Sequence, residues 1–246
     1  MKYSGIPFYR TLVKSPLKSF RVVYKQTDLL ILAEKELTKE TLSLVIEIRR
    51  PLEAYIIKNP LFLKSLEPLP DDPKAPEIVR KMLFAGQIAG VGPMASVAGA
   101  IAETVGKKLI EQGYTKEIVV ENGGDIFLAL KREAIVSIFA GNSIFSGKIA
   151  LKIPAELQPC GVCTSSGKIG HSLSFGEAEA ITVVHKDTAI ADALATAYGN
   201  LLKIEEDFKK ISILAQKIED LYGVFAIINN KFYGVSEKIR IEAINS

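Results

Sequence analysis

The sequence predicts an α+β fold in which antiparallel sheets pack against helices. Short apolar runs with the period of a strand come in groups that are separated by helical stretches. A regular alternation of single strands and helices would instead indicate a parallel sheet. Of the 246 residues, 48% are apolar and 24% are charged, which is the balance of a globular protein with a buried core. This composition excludes disordered, collagen-like and disulfide-scaffold proteins.

The first half of the chain predicts two strands followed by helices. Residues 20–25 alternate with the period of a strand, and a second strand is expected at 29–33. Apolar residues at helical spacing predict a helix over 38–59, and a helix rich in small residues is expected over 94–112. Five of the eleven prolines lie within 60–76, so this stretch is predicted to be a linker or a long surface excursion.

The second half predicts mostly strands, with two helices near its end. The expected strands cover residues 117–121, 126–130, 135–140, 148–153 and 180–185, and the expected helices cover 188–202 and 205–221. Asn229 and Asn230 favour the positive φ angles of a two-residue turn. Residues 224–228 and 231–235 are therefore predicted to form a closing hairpin.

The charge and cysteine content limit which binding partners and which cellular compartment are expected. Lys and Arg outnumber Asp and Glu by 31 to 28, and a net charge of +3 is too small to argue for nucleic acid. Two cysteines and an N-terminus without a secretory signal predict a cytoplasmic protein. The uncharged stretch 82–102 is long enough to cross a bilayer, but the Gly-Val-Gly-Pro run at 90–93 predicts a break between two helices, so no membrane partner is expected.

Two loops are candidate sites for a phosphate-bearing ligand. Paired glycines expose backbone N–H groups that can cradle a phosphate, although the same residues also suit an ordinary hairpin turn. This first loop is Asn122, Gly123, Gly124 and Asp125. Hydroxyl groups followed by glycine, lysine and histidine could hold phosphate oxygens, or form a polar surface loop. This second loop comprises Thr164, Ser165, Ser166 and Gly167, with His171 shortly after them.

A third candidate is the pair Asp192 and Thr196, which lie four residues apart on the predicted helix 188–202. Residues at this spacing share one face of a helix, where a carboxylate and a hydroxyl can supply two oxygen ligands to Mg²⁺. The alternative is that Thr196 bonds back to a backbone carbonyl while Asp192 faces water or favours the helix N-terminus.

The spacing of Cys160 and Cys163 fits a redox dithiol or half of a zinc site. Completing a tetrahedral zinc site would take His171 and His185, at spacings that match no common zinc finger. Small buried thiols are the competing interpretation.

In order and spacing, these motifs resemble the ApbE family, the FAD:protein FMN transferases, from about residue 90 to residue 200. The small-residue helix at 95–103 and the turn at 122–125 resemble that family's alanine-rich helix and its Asn-x-Gly-Gly-Asp/Asn turn. Residues 163–167 resemble its Ala-Thr-Ser-Gly loop, and residues 191–197 match its Ala-Asp-Ala-Leu-Ala-Thr-Ala run most closely. The residues at 92–95 and 170–176 resemble a shorter ApbE-like subgroup more closely still.

The resemblance implies one domain over 1–246, with the excursion at 60–76, built from two related subdomains of the tunnelling-fold type. It implies that Asp192 and Thr196 bind Mg²⁺ and that His171 lies by the FAD pyrophosphate, so His171 and Asp192 are the catalytic candidates. The turn and the second loop would bind the ligand. The implied chemistry is cleavage of FAD and transfer of FMN to a threonine of an acceptor protein, with FAD or FMN as the nucleotide-like small molecule.

Residues 172–176 depart from the family, which continues after its histidine with Asp-Pro-x-Thr-Gly, whereas this chain reads Ser-Leu-Ser-Phe-Gly. Three hypotheses therefore stay open: a flavin-dependent transferase or pyrophosphatase, a flavin- or nucleotide-binding protein without turnover, and a thiol or zinc protein built on Cys160 and Cys163. Whether the protein forms a homo-oligomer is also left open.

Overall fold

The computed structural model describes residues 10, 15–166 and 177–244. Within them the chain forms eleven strands and six α-helices. The strands are β1 (Lys18–Tyr24), β2 (Thr27–Ala33), β3 (Ile118–Asn122), β4 (Asp125–Ala129), β5 (Ala134–Ser137), β6 (Ile149–Ile153), β7 (Cys160–Ser165), β8 (Ala180–His185), β9 (Leu221–Ile228), β10 (Lys231–Val235) and β11 (Arg240–Ala243). The helices are α1 (Thr38–Lys58), α2 (Pro60–Lys64), α3 (Glu77–Ala89), α4 (Val97–Glu111), α5 (Thr188–Leu201) and α6 (Asp207–Ala215).

Eight strands form one antiparallel sheet in the order β1-β2-β3-β4-β7-β8-β9-β10. The chain runs through the same order twice: two strands, then helices, then two strands. The first run uses β1 to β4 with α1 to α4, and the second uses β7 to β10 with α5 and α6. A smaller antiparallel sheet has the order β11-β6-β5. The predicted α+β class with antiparallel sheets and packed helices is confirmed.

The large sheet is covered on both faces, and the alternation along each strand assigns its side chains to the two cores. The first core lies between the sheet and the helices, and the second lies between the two sheets. In β7, Cys163 belongs to the first core, whereas Cys160 and Val162 belong to the second. A strand buried on both faces lacks the polar alternation by which a half-exposed strand is found in a sequence.

The main difference from the predicted elements lies in β7, whose cysteine, glycine and hydroxyl residues have the composition of a loop. Residues 163–165, predicted as part of a polar loop, are the end of β7, which pairs with β4 and β8. The helix predicted over 205–221 covers only Asp207–Ala215, and β9 already begins at Leu221. The short helix α2 and the edge strand β11 have no predicted counterpart.

The proline-rich stretch 60–76 lies against the helical layer. It begins as α2, where Phe62 is 1% exposed, and Ala75 near its end is also buried in the first core. The middle of the stretch is hydrogen-bonded to the loop after α3, because the N–H of Gly92 donates to the carbonyl of Leu66 at 2.9 Å.

The predicted break in the uncharged stretch is confirmed. The helix α3 ends at Gly90, whose φ of 72° is in the left-handed region that glycine adopts without strain. No single helix in the described ranges is long and apolar enough to cross a membrane. Glu77–Ala89 and Pro93–Glu111 meet the criterion only as a pair, and they bend by 103° at the break.

Candidate functional site

A carboxylate from α5 caps the first turn of α4. Oδ2 of Asp192 accepts a hydrogen bond from the N–H of Gly99 at 2.8 Å, and the N–H of Ala98 also donates to this carboxylate. The residue before α4, Ser96, makes no side-chain cap bond. Asp192 therefore satisfies amides that a helix leaves without intrahelical partners, and the positive end of the α4 dipole favours its negative charge.

This contact requires a glycine at position 99. A Cβ atom there would lie 2.5 Å from the carbonyl oxygen of Thr188 and 2.8 Å from the Cβ of Asp192. Both distances are shorter than real Cβ contacts, so the absence of a side chain lets α4 and α5 meet closely enough for the Asp192 hydrogen bond.

The residues 122–125 form a tight hairpin between β3 and β4. Asn122 pairs with Asp125, and the two glycines between them have φ angles of 68° and 105°. Positive φ at both central positions is the geometry of a two-residue hairpin turn, for which glycine is favoured. The N–H of Gly124 donates to Oε1 of Glu121 at 2.7 Å, so this amide is engaged within the protein.

The side chains flanking the turn point to the helical layer and meet Asp192 there. Nδ2 of Asn122 donates to the carbonyl of Ala98 at 3.1 Å, next to the amides that Asp192 caps. The Asp125 carboxylate hydrogen-bonds with the Cys163 thiol and the Thr164 N–H, and it feels the charge of Asp192. The hairpin and the helix junction thus form one polar centre.

Burial controls the electrostatics of this centre. Asp125 and Asp192 are each only 8% exposed. Desolvation raises the pKa of Asp192 to about 7, against the opposing effect of the Gly99 and Ala98 amides. Burial also raises the pKa of Asp125 well above its usual range, and the charge of Asp192 raises it further. Two buried carboxyl groups close together favour the binding of a cation.

Thr196 lies one helical turn after Asp192 on α5 and is half-buried. Across the described ranges, no Lys or Arg forms an ion pair with Asp192 or Asp125, and no three His, Cys, Asp or Glu side chains are grouped so as to hold a metal ion. Mg²⁺ commonly takes one or two protein carboxylates and completes its shell with water and ligand phosphates. The oxygen donors of Asp192 and Thr196 fit that pattern.

The second loop of the sequence analysis divides between the two faces of the sheet. Ser165 faces α5, with its Oγ 3.4 Å from where a Cβ of Gly199 would lie. Thr164 faces the other way, and its Oγ1 is 2.9 Å from Oγ1 of Thr182. Ser166 is half-buried just after β7. Gly167 and His171 lie outside the described residues.

The two cysteines do not share a site. Because they are three residues apart on β7, their side chains leave opposite faces of the sheet, and both are free thiols. Burial raises the pKa of Cys160 to about 12 and that of Cys163 well above its usual range, so neither is a thiolate near neutral pH.

His185 is also engaged in the fold. Its Nδ1 accepts a hydrogen bond from the Asp187 N–H at 2.8 Å, and its Nε2 lies 2.9 Å from the carbonyl oxygen of Glu219. Burial lowers its pKa. Both the thiol and the zinc form of the hypothesis need Cys160 and Cys163 at one site, so the placement of the two cysteines on opposite faces of the sheet contradicts it.

Glu103, which the sequence patterns did not single out, fixes the start of α5. This residue of α4 is 0% exposed, and its Oε2 accepts a hydrogen bond from the Thr188 N–H at 2.9 Å. Nζ of Lys81 lies 2.9 Å from the same oxygen. The signal in the sequence was a lone glutamate in the middle of the small-residue helix, where an unpaired charge would be costly to bury.

The chain is similar over most of its length to UPF0280 proteins. A UPF0280 protein of Methanocaldococcus jannaschii is 43% identical over 225 residues, covering 89% of this chain and 90% of the relative. A UPF0280 protein of Archaeoglobus fulgidus is 43% identical over 211 residues, covering 85% and 84%.

Solved flavin transferases share the fold. The apo form of the flavinyl transferase ApbE of Pseudomonas stutzeri superposes with a TM-score of 0.58 at 15% identity, covering 89% of this chain and 94% of that one. The flavin transferase ApbE of Vibrio cholerae gives 0.54 at 13% identity, covering 90% and 97%. A family model described as "AbpE bacteria" matches residues 10–220. This chain therefore belongs to that family, within the ApbE-like superfamily.

Proposed function

We propose that this protein binds FAD together with Mg²⁺ and cleaves the FAD pyrophosphate, transferring FMN to a hydroxyl of an acceptor protein. The observation that carries the proposal is the buried Asp192 carboxylate, which lies between the start of α4 and the turn at 122–125 with Thr196 one turn further along α5. Two ApbE flavin transferases with this fold support the choice of flavin.

Asp192 and Thr196 would hold the metal ion, and ligand phosphates and water would complete its shell. Bound there, Mg²⁺ would neutralise charge on the phosphates as the bond between them breaks. The α4 amides of Ala98 and Gly99 orient the Asp192 carboxylate. Asn122 donates a hydrogen bond to the carbonyl of Ala98 and so holds the hairpin against the start of the same helix.

The reaction balances without an oxidant or a reductant. The acceptor oxygen bonds to the FMN phosphorus, the bridging P–O bond breaks, AMP leaves, and the acceptor hydroxyl proton is released. If water takes the acceptor's place, the products are FMN and AMP. Asn122, Gly123, Gly124, Asp125, Ser165 and Ser166 are the described candidates for lining the ligand, and Thr164 contributes through its backbone rather than its outward hydroxyl.

The direct test is AMP release from FAD in the presence of Mg²⁺. The wild type should release AMP, and Asp192→Asn and Thr196→Val should each reduce the rate by about tenfold or more, since the first removes the negative charge of a metal ligand and the second removes an oxygen ligand. Thr104→Val is the matched control, because Thr104 donates only to the Ala100 carbonyl within α4, at 2.7 Å. Absence of AMP from the wild type, or equal rates in Thr196→Val and Thr104→Val, would contradict the transferase proposal.

A second candidate is a flavin-binding protein without turnover. It is favoured by the engagement of Asp192 as a helix cap and of the Gly124 N–H by Glu121, since both groups have a structural partner. This candidate predicts that FAD mixed with excess protein and Mg²⁺ stays intact after long incubation while its fluorescence reports tight binding. Formation of AMP in that mixture would reject it.

A further inference from the structure

Arg10, a residue of the N-terminal segment, is buried beneath the turn at 122–125. Its side chain is 2% exposed, and its guanidinium holds two carboxylates at once. Nε lies 2.5 Å from Oε2 of Glu121, and Nη1 lies 2.8 Å from Oδ1 of Asp28. Nη2 also donates to the backbone carbonyl of Asp28 at 2.7 Å. These contacts tie Arg10 to β2 and β3 together.

Glu121 carries this connection into the turn. Its Oε2 meets Arg10, and its Oε1 accepts the N–H of Gly124 at 2.7 Å. Because side chains alternate along β3, Glu121 faces away from the helical layer while its neighbour Asn122 faces toward it. The Arg10–Glu121 pair therefore supports the hairpin from the face opposite Asp192.

We propose that Arg10 is a positioning residue for the ligand site: by orienting Glu121 it fixes the Gly124 amide and thereby the turn that presents Asn122 and Asp125. This inference rests on the proposed function, since it takes the turn to be part of a flavin site. Arg10 is a charge partner of this buried carboxylate, so removal of Arg10 should weaken the orientation of Glu121 and with it the hydrogen bond to the Gly124 amide.

Arg21 offers a matched control on the same sheet face. Its Nε and Nη2 reach the two carboxylate oxygens of Asp28 at 2.8 and 2.7 Å, and its side chain is 30% exposed. Arg21→Ala removes a guanidinium from Asp28 but leaves the Arg10–Glu121–Gly124 connection in place. Arg10→Ala removes that connection.

The test uses the full chain and two readouts. The first is amide hydrogen exchange at Gly124, measured by NMR on the protein without ligand. The second is the affinity for FAD with Mg²⁺, measured by flavin fluorescence. We expect Arg10→Ala to exchange about tenfold faster at Gly124 and to bind FAD about tenfold more weakly, in keeping with the loss of a charge-supported buried hydrogen bond. Arg21→Ala should change both by less than about twofold.

A rescue variant separates positioning from a general loss of structure. Glu121→Gln keeps an oxygen that can accept a hydrogen bond from the Gly124 N–H. It removes the negative charge of the carboxylate with which Arg10 pairs. The double variant Arg10→Ala/Glu121→Gln should therefore recover the Gly124 exchange rate and the FAD affinity to within about threefold of the wild type. If Arg10→Ala does not fold, Arg10→Lys replaces it, because a single ammonium group cannot reproduce all the contacts that the guanidinium makes with Glu121 and Asp28.

The outcomes are distinct. Equal exchange and equal affinity in the Arg10 and Arg21 variants would overturn the proposal, and so would faster Gly124 exchange with unchanged FAD affinity. Failure of the double variant to recover either readout would also count against it. If the wild type does not bind FAD, the proposed function fails, and the Gly124 exchange rates alone decide whether Arg10 sets the turn.

Discussion

Replacing Gly99 with alanine should destabilise the protein, although alanine is the better helix former. Helix propensity alone would favour Gly99→Ala by up to about 1 kcal/mol. Against this, the new Cβ would lie 2.5 Å from the Thr188 carbonyl oxygen and 2.8 Å from the Asp192 Cβ, so α4 and α5 must separate. Overpacking of this kind costs about 1–3 kcal/mol, and a weakened hydrogen bond to a carboxylate adds about 1.5–3 kcal/mol.

The net loss of unfolding free energy should therefore be about 1.5–5 kcal/mol, measured by urea denaturation. Gly199→Ala is the matched control within α5. A Cβ there would meet Ile181 and Ser165 at 3.4 Å, which is ordinary van der Waals contact, so that variant should be neutral or slightly more stable. If Gly99→Ala is as stable as Gly199→Ala, the close contact between α4 and α5 is not what holds Asp192 in place.

Three further predictions concern the same layer. Burial raises the pKa of Asp192 to about 7, so the stability that its protonated form gives the metal-free protein is full below about pH 4 and is lost as the pH rises through 7. Asp192→Asn should therefore show a smaller fall in unfolding free energy between pH 5 and pH 8 than the wild type. Calorimetry should find that the Mg²⁺ affinity of the wild type rises over the same interval. Equal pH dependence in both proteins would contradict the assignment. Glu103→Ala should cost about 3 kcal/mol in urea denaturation, because the Thr188 N–H loses its acceptor and Lys81 keeps only Asp187 of its two carboxylate partners; a loss below about 1 kcal/mol would show that the network is dispensable. Phe127→Ala, at a side chain 1% exposed, should cost about 3–5 kcal/mol with an unchanged denaturant slope, and a changed slope would indicate an altered unfolded or native state.

Sequence patterns located most elements because their signals are local. The strand at 180–185 and the strand at 231–235 were predicted with the bounds that the structure has. The helix predicted over 38–59 is α1, Thr38–Lys58. Periodicity fails for β7 because its cysteine, glycine and hydroxyl residues resemble a loop, and only pairing with β4 and β8 makes them a strand.

The candidate site shows the same division. Residue types and their order along the chain were enough to select Asn122, Asp125, Asp192 and Thr196 and to indicate the ApbE family, which the comparisons confirm. They could not assign Glu103 or Arg10 a role, because the partners of both residues are distant in sequence. Glu103 bonds to Thr188, and Arg10 bonds to Glu121.

The sequence by itself determined the α+β class, the order of the motifs and the oxygen-rich chemistry of the candidate site. Only the tertiary structure decided which way each side chain points. Strand alternation puts Cys160 and Cys163 on opposite faces, turns Thr164 away from α5, and directs Glu121 to Arg10. The physical reason is that residue types and their periods are local properties, whereas burial, charge pairing and the capping of one helix by another depend on segments that meet only in the folded chain.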